Sequence, residues 1–279
     1  MVKKHLWLLF AVLISFWFIN SCSNDFLGLF VSSDLDERLK EKNNFRFLIN
    51  NDIGRDWTNL TLGNSYSFIV LADTHIQNRN AFGLERLGDV IAANPEIKFV
   101  VILGDITQYG AAQDIDRFIE IADSFGIPVF PVIGNHDFYF GNWPVWRDRI
   151  GSTVYRVNAD SATLFVLDSG NSFFGREQLN WLERELQTTA GRVFVFAHHS
   201  LFVRGPLGMQ QVTDTRERAR LVSILRGRSD IMFMGHSHSR LIHEVGNVKY
   251  VTIEDFFNTN IYCLVIVTPD GIELVFEKL

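Results

Sequence analysis

Val129-Phe130-Pro131-Val132-Ile133-Gly134-Asn135-His136-Asp137 carries five residues without a polar side chain into a glycine, and from there into an amide, an imidazole and a carboxylate. A short apolar run closed by a glycine reads as a buried strand and its turn. Four other runs end in the same way. Residues 66–72 lead into Asp73-Thr74-His75, 99–103 into Gly104-Asp105, 193–197 into His198-His199, and 231–234 into Gly235-His236-Ser237-His238. Residues 163–167 and 249–253 add two further apolar runs. Between them lie the stretches 83–93, 114–125, 176–187 and 215–226, whose apolar positions recur near every 3.6 residues; Leu179, Leu182 and Leu186, for example, share one helix face. Strands alternating with amphipathic helices predict an α/β fold of sheets covered by helices. The early strands are expected to be parallel, and 261–267 with 272–277, turning at Pro269-Asp270-Gly271, to form an antiparallel hairpin.

A chain of 279 residues, 47% of them hydrophobic, can bury a substantial core. No Pro/Gly/Ser-rich linker or internal repeat follows Asn64, so residues 65–279 are expected to form one domain. The net charge of -6 and the lack of a Lys/Arg-rich block argue against nucleic acid as partner, since such binding draws on a positive surface that releases counterions. At the start, Lys3-Lys4 precede an uncharged run over 6–19 that is too short to cross a bilayer and fits the core of a secretion signal. Residues 1–21 are therefore expected to be a signal peptide. Ile19-Asn20-Ser21-Cys22 resembles a bacterial lipoprotein processing box, which implies a lipid anchor on Cys22 and a place in the cell envelope. Residues 22–64, polar and irregular with one helix expected over 34–42, read as tether and lead-in. Cys263 lies in an apolar run and reads as a buried thiol, so no disulfide framework is expected.

In an open α/β sheet the ligand crevice lies beyond the carboxyl ends of the strands, so the five polar clusters would share one rim. Asp-x-His and His-x-His place two donors on one side of a short segment. A mixed His, carboxylate and amide set with no thiolate suits zinc, iron or manganese rather than calcium. Gly104, Gly134 and Gly235 are expected to permit the tight turns that aim the following side chains. Each cluster alone is commonplace, because Gly-Asp after a strand is often only a turn and a lone histidine is often filler. Their joint occurrence in order is what carries the reading.

Taken together, the blocks resemble the ordered signature of the calcineurin-like metallophosphoesterase superfamily: Asp-x-His, Gly-Asp, Gly-Asn-His-Asp, a later His, and Gly-His-x-His. The resemblance covers residues 68–255. It implies a four-layer α-β-β-α sandwich of two facing mixed β-sheets flanked by helices, and a binuclear centre of two divalent ions (Mn, Fe or Zn) that activates water for in-line attack on phosphorus. Asp73, His75 and His238 would hold the first ion and Asn135, His198 and His236 the second, with Asp105 bridging. The calcineurin-type protein phosphatases carry a second Asp and an Arg after Gly-Asp, where this chain has Ile106-Thr107-Gln108, so a protein phosphatase is disfavoured. Gln108 also stands where purple acid phosphatases have a metal-binding Tyr, and Ser200 where many members have Pro.

His136 adjoins the ligand Asn135 without being a ligand in the family pattern, which makes it the candidate general acid for the leaving oxygen, with Asp137 a candidate to orient it. His199 and Arg204 are candidate substrate contacts. Arg204 belongs to the segment 201–213, which falls between two ligand blocks and is expected to overhang the site. Phe138-Tyr139-Phe140 with Trp143 and Trp146 offer rings that could stack on a base or sugar or pack a core. The expected activity is hydrolysis of a small phosphate mono- or diester. The alternatives are a non-catalytic, metal-stabilised envelope binding protein and, disfavoured by the charge, a nuclease.

Overall fold

Alternation of side chains along each strand decides which layer they enter. The computed structural model describes residues 34–50, 54–202 and 210–279. After helix α1 (Leu35–Leu39) and the short strands β1 (Ile49–Asn50), β2 (Arg55–Asp56) and β3 (Asn59–Leu60), the chain enters β4 (Tyr66–Leu71), α2 (Leu87–Ala93), β5 (Ile97–Ile102), α3 (Ala112–Ser124), β6 (Val129–Pro131) and α4 (Trp143–Arg149). It continues through β7 (Tyr155–Ala159), β8 (Ala162–Val166), α5 (Arg176–Leu186), β9 (Arg192–Phe196), α6 (Thr215–Leu225) and β10 (Ile231–Met234). The last elements are β11 (Leu241–Val245), β12 (Val248–Thr252), the single turn α7 (Phe256–Thr259), β13 (Ile261–Thr268) and β14 (Gly271–Lys278).

These strands make two large mixed sheets, ordered β14-β13-β4-β5-β6 and β11-β12-β10-β9-β8-β7-β3. In the first, β4, β5 and β6 run parallel, and the closing hairpin joins antiparallel to β4. In the second, β8, β9, β10 and β12 are parallel. Phe194 and Phe196 of β9 and Phe233 of β10 enter the core between the sheets, whereas Val193, Val195, Met232 and Met234 pack under α5 and α6. Phe68 of β4 ties the sheets together, stacked on Phe99 with ring centroids 4.5 Å apart and edge-on to Phe194 at 5.0 Å. Leu87 and Ile91 of α2 and Ile115, Phe118 and Ile121 of α3 extend the same core, and Leu179, Leu182, Leu221 and Leu225 of α5 and α6 cover the second sheet. The result is the four-layer α-β-β-α sandwich.

The expected parallel start and antiparallel end are both present, but β7 and β11 were not foreseen. β11 is a half-exposed edge strand without clean apolar alternation, and β7 is only five residues long, its buried Tyr155 and Val157 alternating with Arg156 and exposed Asn158. Trp143 and Trp146, two of the candidate stacking rings, instead anchor α4 in the core, 3% and 1% exposed. Residues 34–50 and 54–64 pack onto the body, so among the described residues the segment is lead-in rather than tether. Asp34 caps α1, accepting from Asp36 N, while Leu35 and Leu39 pack with Val154, and Phe47 and Leu48 enter the main core. The signal peptide over 1–21 and the lipid site Cys22 lie outside the described residues. Among the described residues, no helix is long and apolar enough to cross a membrane.

Candidate functional site

Because β4, β5 and β6 are parallel neighbours in one sheet and β9 and β10 are parallel neighbours in the facing one, their carboxyl ends open onto one cleft. All seven residues read as candidate ligands meet there. Backbone bonds stitch the two sheets at this end: His236 N donates to Asp73 Oδ2 (3.1 Å), and the His198 ring donates across from one sheet to the Leu103 carbonyl of the other (Nδ1 to O, 2.7 Å).

That last bond fixes the ring's orientation. With Nδ1–H committed to Leu103, His198 Nε2 faces inward. There it meets Asn135 Oδ1 at 3.1 Å, His236 Nδ1 at 3.0 Å and Asp105 Oδ2 at 3.3 Å. Asn135 is turned the same way, because its Nδ2 donates to the Tyr139 hydroxyl at 2.6 Å. Nitrogens and oxygens gathered at this spacing match the ligands of a shared ion, because donors sharing an ion through bonds of about 2.0–2.2 Å lie about 3–3.5 Å apart. A second group, Asp73, His75 and His238, has ligand atoms within 4.8 Å of one another. Asp73 Oδ1 lies 3.4 Å from His238 Nε2, and His75 Nδ1 is buried with no hydrogen-bond partner among the described residues. Asp105 belongs with both sets, grouping with Asp73 and His198 and also with His75 and His136. The donors present therefore fit two adjacent cations that share Asp105.

The electrostatics agree with an anionic cleft. Burial alone would depress His198, but the Asp105 and Asp73 carboxylates overcome it and carry the ring up to about 10. His238 rises to about 9 against its burial through its contact with Asp73. Burial dominates at His75, which falls to about 4.

The glycines act differently from the expected turns. Only Gly104 of the three has a left-handed backbone (φ +86°). All three exclude a Cβ: one on Gly104 would sit 2.6 Å from His198 Nδ1, one on Gly235 2.9 Å from Asp73 Oδ2, and one on Gly134 inside the backbone and carboxylate of Asp105. The left-handed backbone falls on the candidate ligands themselves, Asp73 (φ 55°), His75 (46°), Asp105 (47°), His236 (65°) and His238 (50°). Such conformations cost about 1–3 kcal/mol each and persist where function over-determines them.

His136 is 4% exposed, with Nδ1 bonded to the Gln108 carbonyl (2.9 Å) and Nε2 3.8 Å from Asp105 Oδ2. Asp137 does not orient it. Its carboxylate accepts from Thr107 N (2.8 Å) and Gly134 N (2.9 Å), clamping the two ligand loops to each other, and burial with the nearby Asp105 charge pushes it up to about 7. His199 is 2% exposed, bonded through Nε2 to Ser172 Oγ (2.9 Å) and packed against the His236 ring at 3.9 Å, and it groups with His198 and His236 as a further donor within reach of one ion. Arg204 lies outside the described residues.

Two contributors escaped the sequence reading. Tyr139 orients Asn135, as above. Ser169, at the carboxyl end of the β8 run, accepts from both His198 N (3.2 Å) and His199 N (2.9 Å). Leu167-Asp168-Ser169 is one more apolar run ending in polar residues, the signal already used elsewhere. Ser169→Ala would leave two buried amides without this partner and is expected to lower stability by about 1–3 kcal/mol in urea unfolding; a loss below about 0.5 kcal/mol would show that the loop re-bonds without it.

Two facing mixed sheets with His, Asp and Asn gathered at their strand ends define a metallophosphoesterase. The chain belongs to the calcineurin-like phosphoesterase family, whose model matches residues 66–240, and it is a phosphoester hydrolase. It is 30% identical over 197 residues, 61% of this chain and 71% of the relative, to a probable cyclic nucleotide phosphodiesterase of Rhodopseudomonas palustris. A probable cyclic nucleotide phosphodiesterase of Fibrobacter succinogenes is 28% identical over 187 residues, 62% of this chain and 72% of the relative. Among solved structures the fold is shared with a dimetal phosphatase from Danio rerio (TM-score 0.59, 16% identity, 76% of this chain and 98% of that one). It is shared as well with a purple acid phosphatase from yellow lupin seeds (TM-score 0.63, 13% identity, 77% of this chain and 51% of that one).

Proposed function

We propose that the chain is a binuclear metal-dependent phosphodiesterase acting on small diesters, cyclic nucleotides foremost. The observation that carries this reading is the convergence of ligand atoms of His198, Asn135, His236 and Asp105 beside the trio Asp73, His75 and His238. Asp73, His75 and His238 would hold one divalent cation and Asn135, His198 and His236 the other, with Asp105 between. Two such ions supply an activated water at neutral pH and offset the charge that develops on phosphorus. The preference for a cyclic diester is drawn from the two bacterial relatives. The export reading joins the proposal: a lipid on Cys22 would hold this activity at the cell envelope, and labelling of the full chain but not of Cys22→Ser with a fatty-acid probe tests it.

We assign the proton for the departing oxygen to His136 Nε2: Nδ1–H is committed to Gln108, so the proton given up would be the second one, carried by the imidazolium form. His136→Ala is expected to lower kcat on a cyclic nucleotide by about 10²–10⁴ while costing less than about tenfold on a nitrophenyl diester, whose leaving group needs no proton. Metal content should not change. Equal losses on both esters would reject the acid role. For the proposed activity itself, kcat/KM is measured on cyclic nucleotides, linear diesters and monoesters with Mn, Zn or Fe; inertness toward all of them with every metal sinks it, and a clear monoester preference removes the diesterase part. An intact donor set speaks against the non-catalytic binding protein.

A further inference from the structure

Of the five rings in the segment 138–146, four are buried: Phe138, Tyr139, Trp143 and Trp146 are 1–3% exposed. Phe140 is 56% exposed, one of two large hydrophobic side chains so exposed among the described residues. Its backbone is left-handed (φ 57°), which is unfavourable for a bulky side chain and turns the chain between buried Tyr139 and Gly141. The ring is not isolated. It lies 5.7 Å from the Tyr109 ring and 6.1 Å from Tyr139, which in turn lies 4.4 Å from His136. Tyr109 follows Gln108, whose carbonyl holds His136 Nδ1, and Asn142 Nδ2 pins the Tyr109 carbonyl at 2.8 Å. Phe140 and Tyr109 are thus attached to the loops that hold the candidate acid. Another aromatic pair, Phe82 and Phe257, borders His75 instead (Phe257 to His75, 5.9 Å) and so adjoins the candidate ligands rather than the proton donor.

We infer that Phe140, supported by Tyr109, is the platform on which a planar leaving group stacks, and so selects esters whose departing alcohol carries an aromatic ring such as a nucleoside base. The inference rests on the proposed phosphodiesterase reading and on His136 as acid, because whatever protonates the departing oxygen must stand beside the group that departs. An exposed phenylalanine at that place offers a π-face without hydrogen-bond readout, which tolerates any base.

The test compares the full-length parent, Phe140→Ala and Phe140→Trp, all metal-loaded, on a 3′,5′-cyclic nucleotide and on an aliphatic diester such as glycerophosphoethanolamine, with calorimetric binding of adenosine 5′-monophosphate as a readout independent of turnover. Phe140→Ala is expected to lower kcat/KM on the cyclic nucleotide about tenfold, mainly through KM, and to weaken the monophosphate by a similar factor. The aliphatic diester should change less than about twofold, and Phe140→Trp should restore the selectivity. Equal effects on both esters, or none on either, overturn the platform, as does a parent that prefers the aliphatic ester. A parent inert to every ester defeats the phosphodiesterase reading instead, and the monophosphate titration then decides the platform alone: unchanged affinity in Phe140→Ala rejects it.

Discussion

Asp105→Asn is expected to lower turnover by at least about 10³-fold, with loss of bound metal rather than loss of fold as the cause. The substitution preserves shape, and the new Oδ1 can still accept from His136 N, where the carboxylate now does at 2.9 Å. What changes is the atom at Oδ2, 3.3 Å from His198 Nε2. An amide nitrogen there turns a donor toward the cleft and removes the one carboxylate that both candidate ligand sets share. It also removes the charge that lifts His198 most strongly against burial. Metal analysis after gel filtration should show less than one ion retained per chain against two in the parent, with the circular dichroism spectrum unchanged. Retention of both ions would show that Asp105 does not bridge, whatever happened to the rate. Gly134 gives an independent check. A Cβ there collides with Asp105 itself, so Gly134→Ala should reproduce the metal loss without touching a donor atom.

The clusters that hold the candidate ligands were legible because each is announced locally. An apolar run stops, a glycine or small turn follows, and the donor comes next, so the strand register that builds the fold also delivers the chemistry. That logic reached the five clusters without any knowledge of which strands neighbour one another; the choice of seven candidate ligands within them, and of His136 as candidate acid, came from the resemblance. It misread the glycines, whose requirement for space is set by the opposite loop: His198 for Gly104 and Asp105 for Gly134. Asp137 could not be placed either, because its partners are backbone amides of Thr107 and Gly134 that only the parallel pairing of β5 with β6 brings together. Helix α4 was missed because its tryptophans were read only for stacking or packing; Pro144 stands in the first turn, where its missing N–H costs nothing. Edge strand β11 lacks the apolar alternation that marks half-buried strands, whereas β7 carries it over only five residues and was passed over.

The contact least accessible to sequence supplies the other large effect. Arg38 on α1 and Asp168 after β8 are 130 residues apart, and both side chains are 0% exposed. The guanidinium donates through Nε to Asp168 Oδ2 (2.6 Å) and through Nη2 to Oδ1 (2.9 Å) and to Asn171 Oδ1 (2.6 Å), with its carbon 4.5 Å over the Phe138 ring. Phe138 is held on another side by Gly170, where a Cβ would come within 2.6 Å of the ring. One residue from Asp168, Ser169 holds His198 and His199; two residues before Phe138 stands His136. Arg38→Ala would strand a carboxylate in the interior and is expected to cost about 3–5 kcal/mol, seen as a fall in Tm of about 10 °C. Since desolvation of two charges offsets much of their attraction, Arg38→Met combined with Asp168→Asn should cost less than Arg38→Ala alone. The cycle separates two explanations. Strictly additive losses would mean that Arg38 acts through packing on Phe138, whereas a double variant milder than the single one means that the pair itself locks α1 to the loop behind the histidines. In the second case α1, which lies outside the family-matched residues 66–240, is part of what holds the site in register, and a chain trimmed only of residues 1–40 should unfold more readily and retain less added metal.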